Sequence, residues 1–299
     1  MTSSAPPQKI FITGSSGFVG RSLAAQLGAR FEALHFGADD WADQVARADF
    51  RDATVFHLAA RVHDDASASD AFMRDNVEKT RALAQAARIG GARRFVFLST
   101  IKVNGEETSA RAFTSTDSPY PQDAYGRSKW EAEQAIVAID GLEAVIVRSP
   151  LVFGPSAKGN LRSLLLLADT PWPLPLGSIH NRRSFVHVDD LARLLVECAT
   201  HPHAVGQTFL AAHRDPFSTP SLVAELRRCL ARPERLFALP ARALEWAATL
   251  SGAGEKMRRM TRSLEVDCEA TRRVLGWEAQ IALRPAIEDM VRAYREAGT

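Results

Sequence analysis

Tyr125 and Lys129 carry the most informative chemistry in this chain. In the run YGRSK (125–129) they stand four positions apart, and on a helix such residues share a face. A phenol titrates at about 10 and is a poor acid–base group at neutral pH. A nearby ammonium stabilises phenolate and lowers that value. The phenol can then exchange a proton with a sugar or alcohol oxygen. The hydroxyl of Thr100, in FLSTIKVNG (97–105), would bind the same oxygen and hold its lone pairs in position. The spacing also suits an exposed i,i+4 pair. The chain has only three tyrosines, however, and this one has the required lysine on its face.

Proton exchange at an oxygen is half of a redox step; the attached carbon must give or take a hydride. The stretch KIFITGSSGFVG (9–20) supplies a candidate site for the carrier. Ile10, Phe11, Ile12 and Thr13 run straight into Gly14, Gly17 and Gly20, which predicts a short buried strand, a tight turn and the first turn of a helix. Backbone N–H groups at such a turn can face an anion, which the helix N-terminus favours. Gly14 lets the chain turn, Gly17 lets a pyrophosphate approach, and Gly20 lets helix and strand pack closely. The spacing is not G-x-G-x-x-G, and on its own it also fits a Gly/Ser surface turn. The strand before it and the apolar positions Phe18, Val19, Leu23 and Leu27 after it favour a dinucleotide crevice. A cationic nicotinamide bound there would join Lys129 in lowering the Tyr125 pKa.

Stepping along the chain, the pattern predicts a helix over Phe18–Leu27, a strand over Phe31–Phe36 and a short helix over Trp41–Ala48. No Asp or Glu occupies 34–37, where an NAD-binding crevice usually has a ribose-binding carboxylate. His35 there reads as a contact to adenosine ribose or a 2′-phosphate, or as a solvated strand end. Thr54–Ala60 (TVFHLAA) reads as a buried strand whose small last residues let a cofactor lie close. Leu58, Ala59 and Ala60 are therefore cofactor candidates, with Phe18, Val19 and the three glycines. Asp70–Ile89 reads as a long helix. Asn76 is a poor helix former within it, and reads as a member of a polar network or as a solvated residue. The strand Arg94–Ser99 delivers Ser99 and Thr100 to the carboxyl edge, where ligands bind in open α/β sheets. A long loop, Val103–Tyr120, is expected to cover the site. A helix starts near Asp123. The strand Ala144–Ser149 ends at Pro150 and makes Ser149 a further cofactor candidate. Alternating strand and helix argue for a parallel sheet with helices on both faces.

After Phe153 the chain changes character, with Gly154, Pro155, Gly159, Pro171, Pro173, Pro175 and Gly177. A helix over Leu161–Ala168, Asp189–Asp190 capping a helix Leu191–Cys198, a strand Thr208–Ala211 and a helix from Thr219 to Leu230 are expected, followed by mainly helical chain. These parts predict a smaller lid-like domain over the strand ends. Leu239–Leu250 reads as a packed helix, with a membrane-facing one as the alternative.

Composition narrows the class. The 299 residues are 46 % hydrophobic and carry Lys+Arg 37 against Asp+Glu 35, a net charge of +2. That is core enough for one large or two packed domains, and it gives no general electrostatic case for nucleic acid. Cys198, Cys229 and Cys268 are scattered, suit a reduced compartment and form no metal cluster. MTSSAPPQ (1–8) lacks the regions of a signal peptide, and no run is long enough to span a membrane. A cytoplasmic protein without metal is expected.

Read as an ordered set, TGSSGFVG (13–20), FHLAA (56–60), NVEKT (76–80), FLSTIKVNG (97–105), YGRSK (125–129), RSPLVFGP (148–155) and RSFVHVDD (183–190) resemble the extended short-chain dehydrogenase/reductase family, in particular its nucleotide-sugar epimerases and ketoreductases. The likeness covers essentially the whole chain. It implies an α/β fold: a Rossmann-like NAD(P)-binding domain over 1–152, completed by about 186–212. A nucleotide-sugar-binding domain over 153–185 and 213–299 would complete the molecule. It also implies Thr100 as the catalytic hydroxyl, Tyr125 as acid/base and Lys129 as cofactor-ribose ligand and pKa-lowering cation. Asn160 would meet substrate diphosphate or sugar, and Arg183 diphosphate. Lys102 reads as a substrate contact or a solvated loop lysine. Asn104 is assigned to substrate as well; it replaces the family's usual tyrosine in V-Y-G. Ile101-Lys102 stands where sugar 4,6-dehydratases carry Asp-Glu, so dehydration is not expected. STIKVNGE, with AARVH (59–63) and PLPLGSIHNRRS (173–184), looks most like bacterial UDP-4-keto-6-deoxy-N-acetylhexosamine reductases that serve surface polysaccharide. Alternatives are a UDP-sugar 4-epimerase with retained NAD, a steroid or small-alcohol dehydrogenase, and a non-catalytic nucleotide-sensing protein. NAD or NADP is the expected cofactor. Family members often form homodimers through the Y-x-x-x-K helix and the helix before it.

Overall fold

The computed structural model describes residues 9–28, 30–62, 68–155 and 159–298. The stretch 1–8 and His63 of the AARVH run lie outside them. The first half alternates strand and helix: β1 (Ile10–Thr13), α1 (Phe18–Leu27), β2 (Glu32–Leu34), α2 (Trp41–Arg47) and β3 (Thr54–His57). Helix α3 (Ala68–Phe72) then passes through a π-helical turn, Met73–Glu78, into α4 (Lys79–Ile89). Next come β4 (Arg94–Thr100), a 3₁₀ turn (Ile101–Val103), α5 (Ala124–Val137) and β5 (Ala144–Ser149). The second half contains β6 (Leu151–Phe153), α6 (Asn160–Ala168), β7 (Phe185–His187), α7 (Val188–Thr200), β8 (Thr208–Leu210), α8 (Thr219–Cys229), α9 (Ala241–Leu250), α10 (Gly254–Thr261), α11 (Glu269–Leu275) and α12 (Leu283–Gly298).

Six strands make one parallel sheet in the order β2-β1-β3-β4-β5-β8. The central strands β3 and β5 are buried along their whole length, as a parallel sheet covered on both faces requires. One face packs on α1 and α7 through Leu23, Leu191 and Leu195. The other packs on α2, α4 and α5 through Val45, Leu83 and Ile136. A third apolar cluster joins α6, α8 and α12 with Phe153 and Phe185 of the paired strands β6 and β7. The chain leaves β1 for β2 on one side, then crosses to β3 on the other. That reversal opens a crevice at the carboxyl ends of β1 and β3.

Several expected boundaries move. Strand β3 stops at His57, so Leu58–Ala60 form irregular chain instead of continuing the sheet. The expected helix 70–89 is broken by the π turn. Asp189 and Asp190 do not cap α7: the His187 ring accepts the Asp189 N–H at 3.3 Å. Asp190 is instead buried, accepting the N–H groups of Gln280 (3.2 Å) and Ile281 (3.1 Å) and pairing with Arg193. Among the described residues, no helix is long and apolar enough to cross a membrane.

Candidate functional site

The glycine turn is built around close backbone contacts. Gly14 has φ +73°, and a Cβ there would lie 2.9 Å from the Ala59 nitrogen. The segments after β1 and β3 are therefore pressed together. The Gly17 N–H donates to the Gly14 carbonyl at 2.9 Å. A Cβ on Gly20 would sit 2.0 Å from that same oxygen, so α1 starts directly on the turn. No side chain caps α1, which leaves its first-turn amides, beginning at Phe18, available to an anion. Beneath the turn, Thr13 Oγ1 bonds His57 Nδ1 at 2.6 Å, His57 Nε2 bonds Thr80 Oγ1 at 2.7 Å, and the Ala59 N–H donates to Thr13 Oγ1 at 3.2 Å. Burial holds His57 well below the usual imidazole range. A neutral histidine thus pins both segments; it lies within the FHLAA run (56–60), but sequence reasoning gave it no role.

These segments floor a cleft of about 1430 Å³. Gly14, Gly17, Phe18, Val19, Gly20, His35, Leu58, Ala59, Ala60, Thr100, Tyr125, Lys129 and Ser149 all line it. The glycine cradle excludes Cβ atoms, the helix end is open, and the volume accommodates an extended dinucleotide. The residues present therefore fit a nicotinamide cofactor. Sequence reasoning missed Arg61, Arg74, Asp75 and Lys79, which line the same cleft. Asp75 pairs with Arg61 at 2.8 Å, Arg74 at 3.2 Å and Lys79 at 3.5 Å.

Helix α5 sets Tyr125 and Lys129. Asp123 caps it, accepting the Gly126 N–H at 2.6 Å. Asn76, buried in the π turn, donates to Ser128 Oγ (2.9 Å) and to the Arg61 carbonyl (3.0 Å), and accepts the Arg61 N–H at 2.8 Å. Ser128 Oγ in turn donates to the Tyr125 carbonyl at 2.8 Å. Asn76 is thus a network residue that ties the segment after β3 to the helix bearing the phenol.

Lys129 is buried with Nζ 3.8 Å from the centre of the Phe97 ring. Burial lowers its pKa to about 7, against an opposing pull from Glu133. Burial, with the nearby charge of Asp123, pushes the Tyr125 phenol above its ordinary value. In the cofactor-free protein burial thus opposes the charged form of both groups; the phenolate that Lys129 and a bound cationic nicotinamide would stabilise belongs to the loaded site.

One helical turn deeper lies a second network. Arg148 on β5 makes a two-pronged pair with Glu133 on α5, at 3.0 and 2.6 Å, and Ser99 Oγ donates to the same carboxylate. Arg148 Nη1 also donates to Asn104 Oδ1 at 2.9 Å, and Asn104 Nδ2 donates to the Thr114 carbonyl at 2.9 Å. Asn104 is therefore a buried brace of the loop after β4, correcting its assignment to substrate. The signal in the sequence was the departure from V-Y-G, which puts an amide, with both a donor and an acceptor, at position 104.

Lys102 is also displaced from its expected role. Its ammonium pairs with Asp123 and, at 2.9 Å, with Glu106. It lies outside the cleft lining and steadies the cap of α5. Arg183 is outside the lining too; its Nη1 donates to the Arg262 carbonyl at 3.0 Å, and burial lowers its pKa to about 10 beside Glu106 and Arg259. Asn160 opens α6, but its side chain lies outside the described residues.

Such a cleft can place a hydroxyl, a phenol and an amine beside a nicotinamide. Comparisons with known proteins place the chain in a family. Residues 10–212 match the NAD dependent epimerase/dehydratase family. A UDP-glucose 4-epimerase of Vibrio cholerae is 35% identical over 97% of this chain and 97% of its own. The fold matches a UDP-glucuronic acid 4-epimerase from Bacillus cereus in complex with NAD, at TM-score 0.76, 17% identity, 98% of this chain and 100% of that one. It also matches RMD from Pseudomonas aeruginosa complexed with NADPH, at TM-score 0.76, 20% identity, 97% of this chain and 99% of that one. At these identities the two structures speak to the fold alone. A profile match across two thirds of the chain, together with a relative aligned from end to end, makes this protein a member of the NAD-dependent epimerase/dehydratase family of extended short-chain dehydrogenase/reductase enzymes.

Proposed function

We propose that the enzyme reduces the C4 ketone of a UDP-linked 4-keto-6-deoxy-N-acetylhexosamine with NAD(P)H, supplying a precursor for surface polysaccharide in the cytoplasm. The observation that carries this reading is the charge at the end of β2, where this fold meets the adenosine ribose. His35 lines the cleft there, no carboxylate occupies 34–37, and Arg61, Arg74 and Lys79 stand against two carboxylates of the lining, Asp75 and Asp39 of the turn after β2. A net cationic ribose end suits a 2′-phosphate, and so an exchangeable reductant in preference to a retained oxidant.

When bound, the nicotinamide supplies a hydride to C4. The chain does the rest: the Thr100 hydroxyl holds the carbonyl oxygen, Tyr125 delivers its proton to that oxygen, and Lys129, as an ammonium, anchors the cofactor ribose and stabilises the phenolate left on Tyr125. Dehydration is disfavoured, because Ile101 is buried and Lys102 is committed to Asp123 and Glu106. No acid and base flank Thr100 for elimination. Arg183 remains the candidate for the diphosphate, and Asn160 for the sugar or diphosphate. A homodimer through α4 and α5 belongs to the same reading, and light scattering in solution tests it.

The decisive assay follows NADPH and NADH oxidation with the 4-keto substrate. Cofactor consumption with formation of one 4-hydroxy product supports the reading. A purified protein that retains NAD and interconverts UDP-glucose and UDP-galactose without added cofactor overturns it in favour of a 4-epimerase, the reading that the Vibrio cholerae relative favours.

A further inference from the structure

Helix α9 carries two apolar stripes, one buried and one exposed. Leu244 and Ala248 are buried, and Leu244 joins the third apolar cluster. Ala243, Trp246, Ala247 and Leu250, at helical spacing of i, i+3, i+4 and i+7, form the opposite stripe. Trp246 is 68 % exposed and Leu250 71 % exposed. Two more aromatic residues extend the region. Phe237 is exposed just before α9, and Trp172, 72 % exposed, precedes a segment whose backbone pairs with 235–237.

The charge around this stripe is one-sided. Residues 231–262 hold seven Lys/Arg and three Glu, a net +4 in a chain of +2. Of the three acids, Glu245 and Glu255 are engaged by Arg262 and Arg259, and Glu234 is exposed beside Arg235. Arg235, Arg242, Lys256 and Arg258 are exposed and make no ion pair among the described residues. Arg242 borders the apolar stripe directly.

We infer that the α9–α10 hairpin docks on an anionic bilayer surface, with Trp246 and Leu250 entering the headgroup region and the four cations meeting lipid phosphates. An interfacial helix has this composition: an aromatic and aliphatic face edged by Lys and Arg. At ten residues α9 is about 15 Å long, enough to lie in an interface and too short to cross. A second copy of this chain is the poorer occupant, because two +4 surfaces would be apposed. The hairpin also borders the catalytic loop. Arg259 approaches Glu106 and Arg262 approaches Glu107, each at 3.9 Å, and the Thr108 N–H donates to the Ser263 carbonyl at 2.8 Å. A docked enzyme would hold its catalytic loop close to the membrane surface.

The test uses the full-length protein with vesicles of phosphatidylglycerol and phosphatidylethanolamine, and with vesicles of phosphatidylcholine alone. Co-sedimentation with the anionic vesicles is expected, weakened by salt and much weaker on phosphatidylcholine. The double variant Trp246→Glu/Leu250→Glu should bind roughly tenfold less or worse. It should keep its circular dichroism and its turnover of water-soluble nucleotide sugar, so a failed docking test leaves the catalytic reading untouched. Arg242→Glu/Lys256→Glu, which spares the apolar stripe, should lose the preference for anionic lipid. Absence of sedimentation, or equal sedimentation of the Trp246/Leu250 variant, overturns the inference. So does a fall in molecular mass of that variant by light scattering, which would make the stripe a protein–protein interface.

Discussion

Two buried cations lie one helical turn apart in depth, and the protein treats them in opposite ways. Arg148 meets a two-pronged carboxylate, Glu133, and an amide, Asn104. Lys129 has an aromatic ring beneath it and the cleft in front. A buried cation with a full set of partners stays charged and fixes the geometry around it. A buried cation without them gives up part of its charge, here to a pKa of about 7. The first braces β5, α5 and the loop after β4. The second is left able to change protonation when a ligand brings charge into the cleft. The cleft thus rests on a network of paired, hydrogen-bonded groups.

That contrast can be broken from either side. The largest effect is expected at the cleft. Tyr125→Phe should lower turnover by about 10²–10⁴-fold while cofactor binding, read by fluorescence titration, is retained; loss of binding would mean that the ring is structural. At the brace, Glu133→Gln strands the Arg148 guanidinium in the core. Urea unfolding should show a loss of about 3–5 kcal/mol, and near-normal stability would show the pair to be dispensable. Gly20→Ala drives a methyl into the Gly14 carbonyl. It should cost about 1–3 kcal/mol and weaken dinucleotide binding, because the floor of the cleft must shift.

The smallest effect sharpens the comparison most. The folded-state pKa of Lys129 is lowered from 10.5 to about 7. Between those values the unfolded chain binds the extra proton, so the contribution of Lys129 to stability falls as pH drops from 10.5 towards 7 and is flat below. Stability of the cofactor-free protein, measured by urea at a series of pH values from 7 to 9, should rise with pH by more than in Lys129→Met. Equal slopes would mean that Lys129 keeps its charge.

Much of the cleft was legible because its determinants are local. A turn that needs φ +73° at Gly14, with no room for a Cβ at Gly20, leaves its mark within a dozen residues. Four-residue spacing puts Tyr125 and Lys129 on one helix face wherever that helix goes. The side chains around Lys102 and Asn104 were not legible in this way. Each is a loop residue whose partner stands on another element: Asp123 for Lys102, Arg148 for Asn104. His57, between Thr13 and Thr80, likewise has no meaning until β1, β3 and α4 are brought together.

By itself, then, the sequence determined the parallel α/β architecture, the dinucleotide turn and the ordered trio Thr100, Tyr125 and Lys129, since backbone sterics and helical periodicity act between near neighbours. Only the tertiary structure decided which polar side chains are spent on holding the site together and which are left to act in it. That division depends on burial and on partners distant in sequence, and neither burial nor a distant partner is written in the spacing of residues.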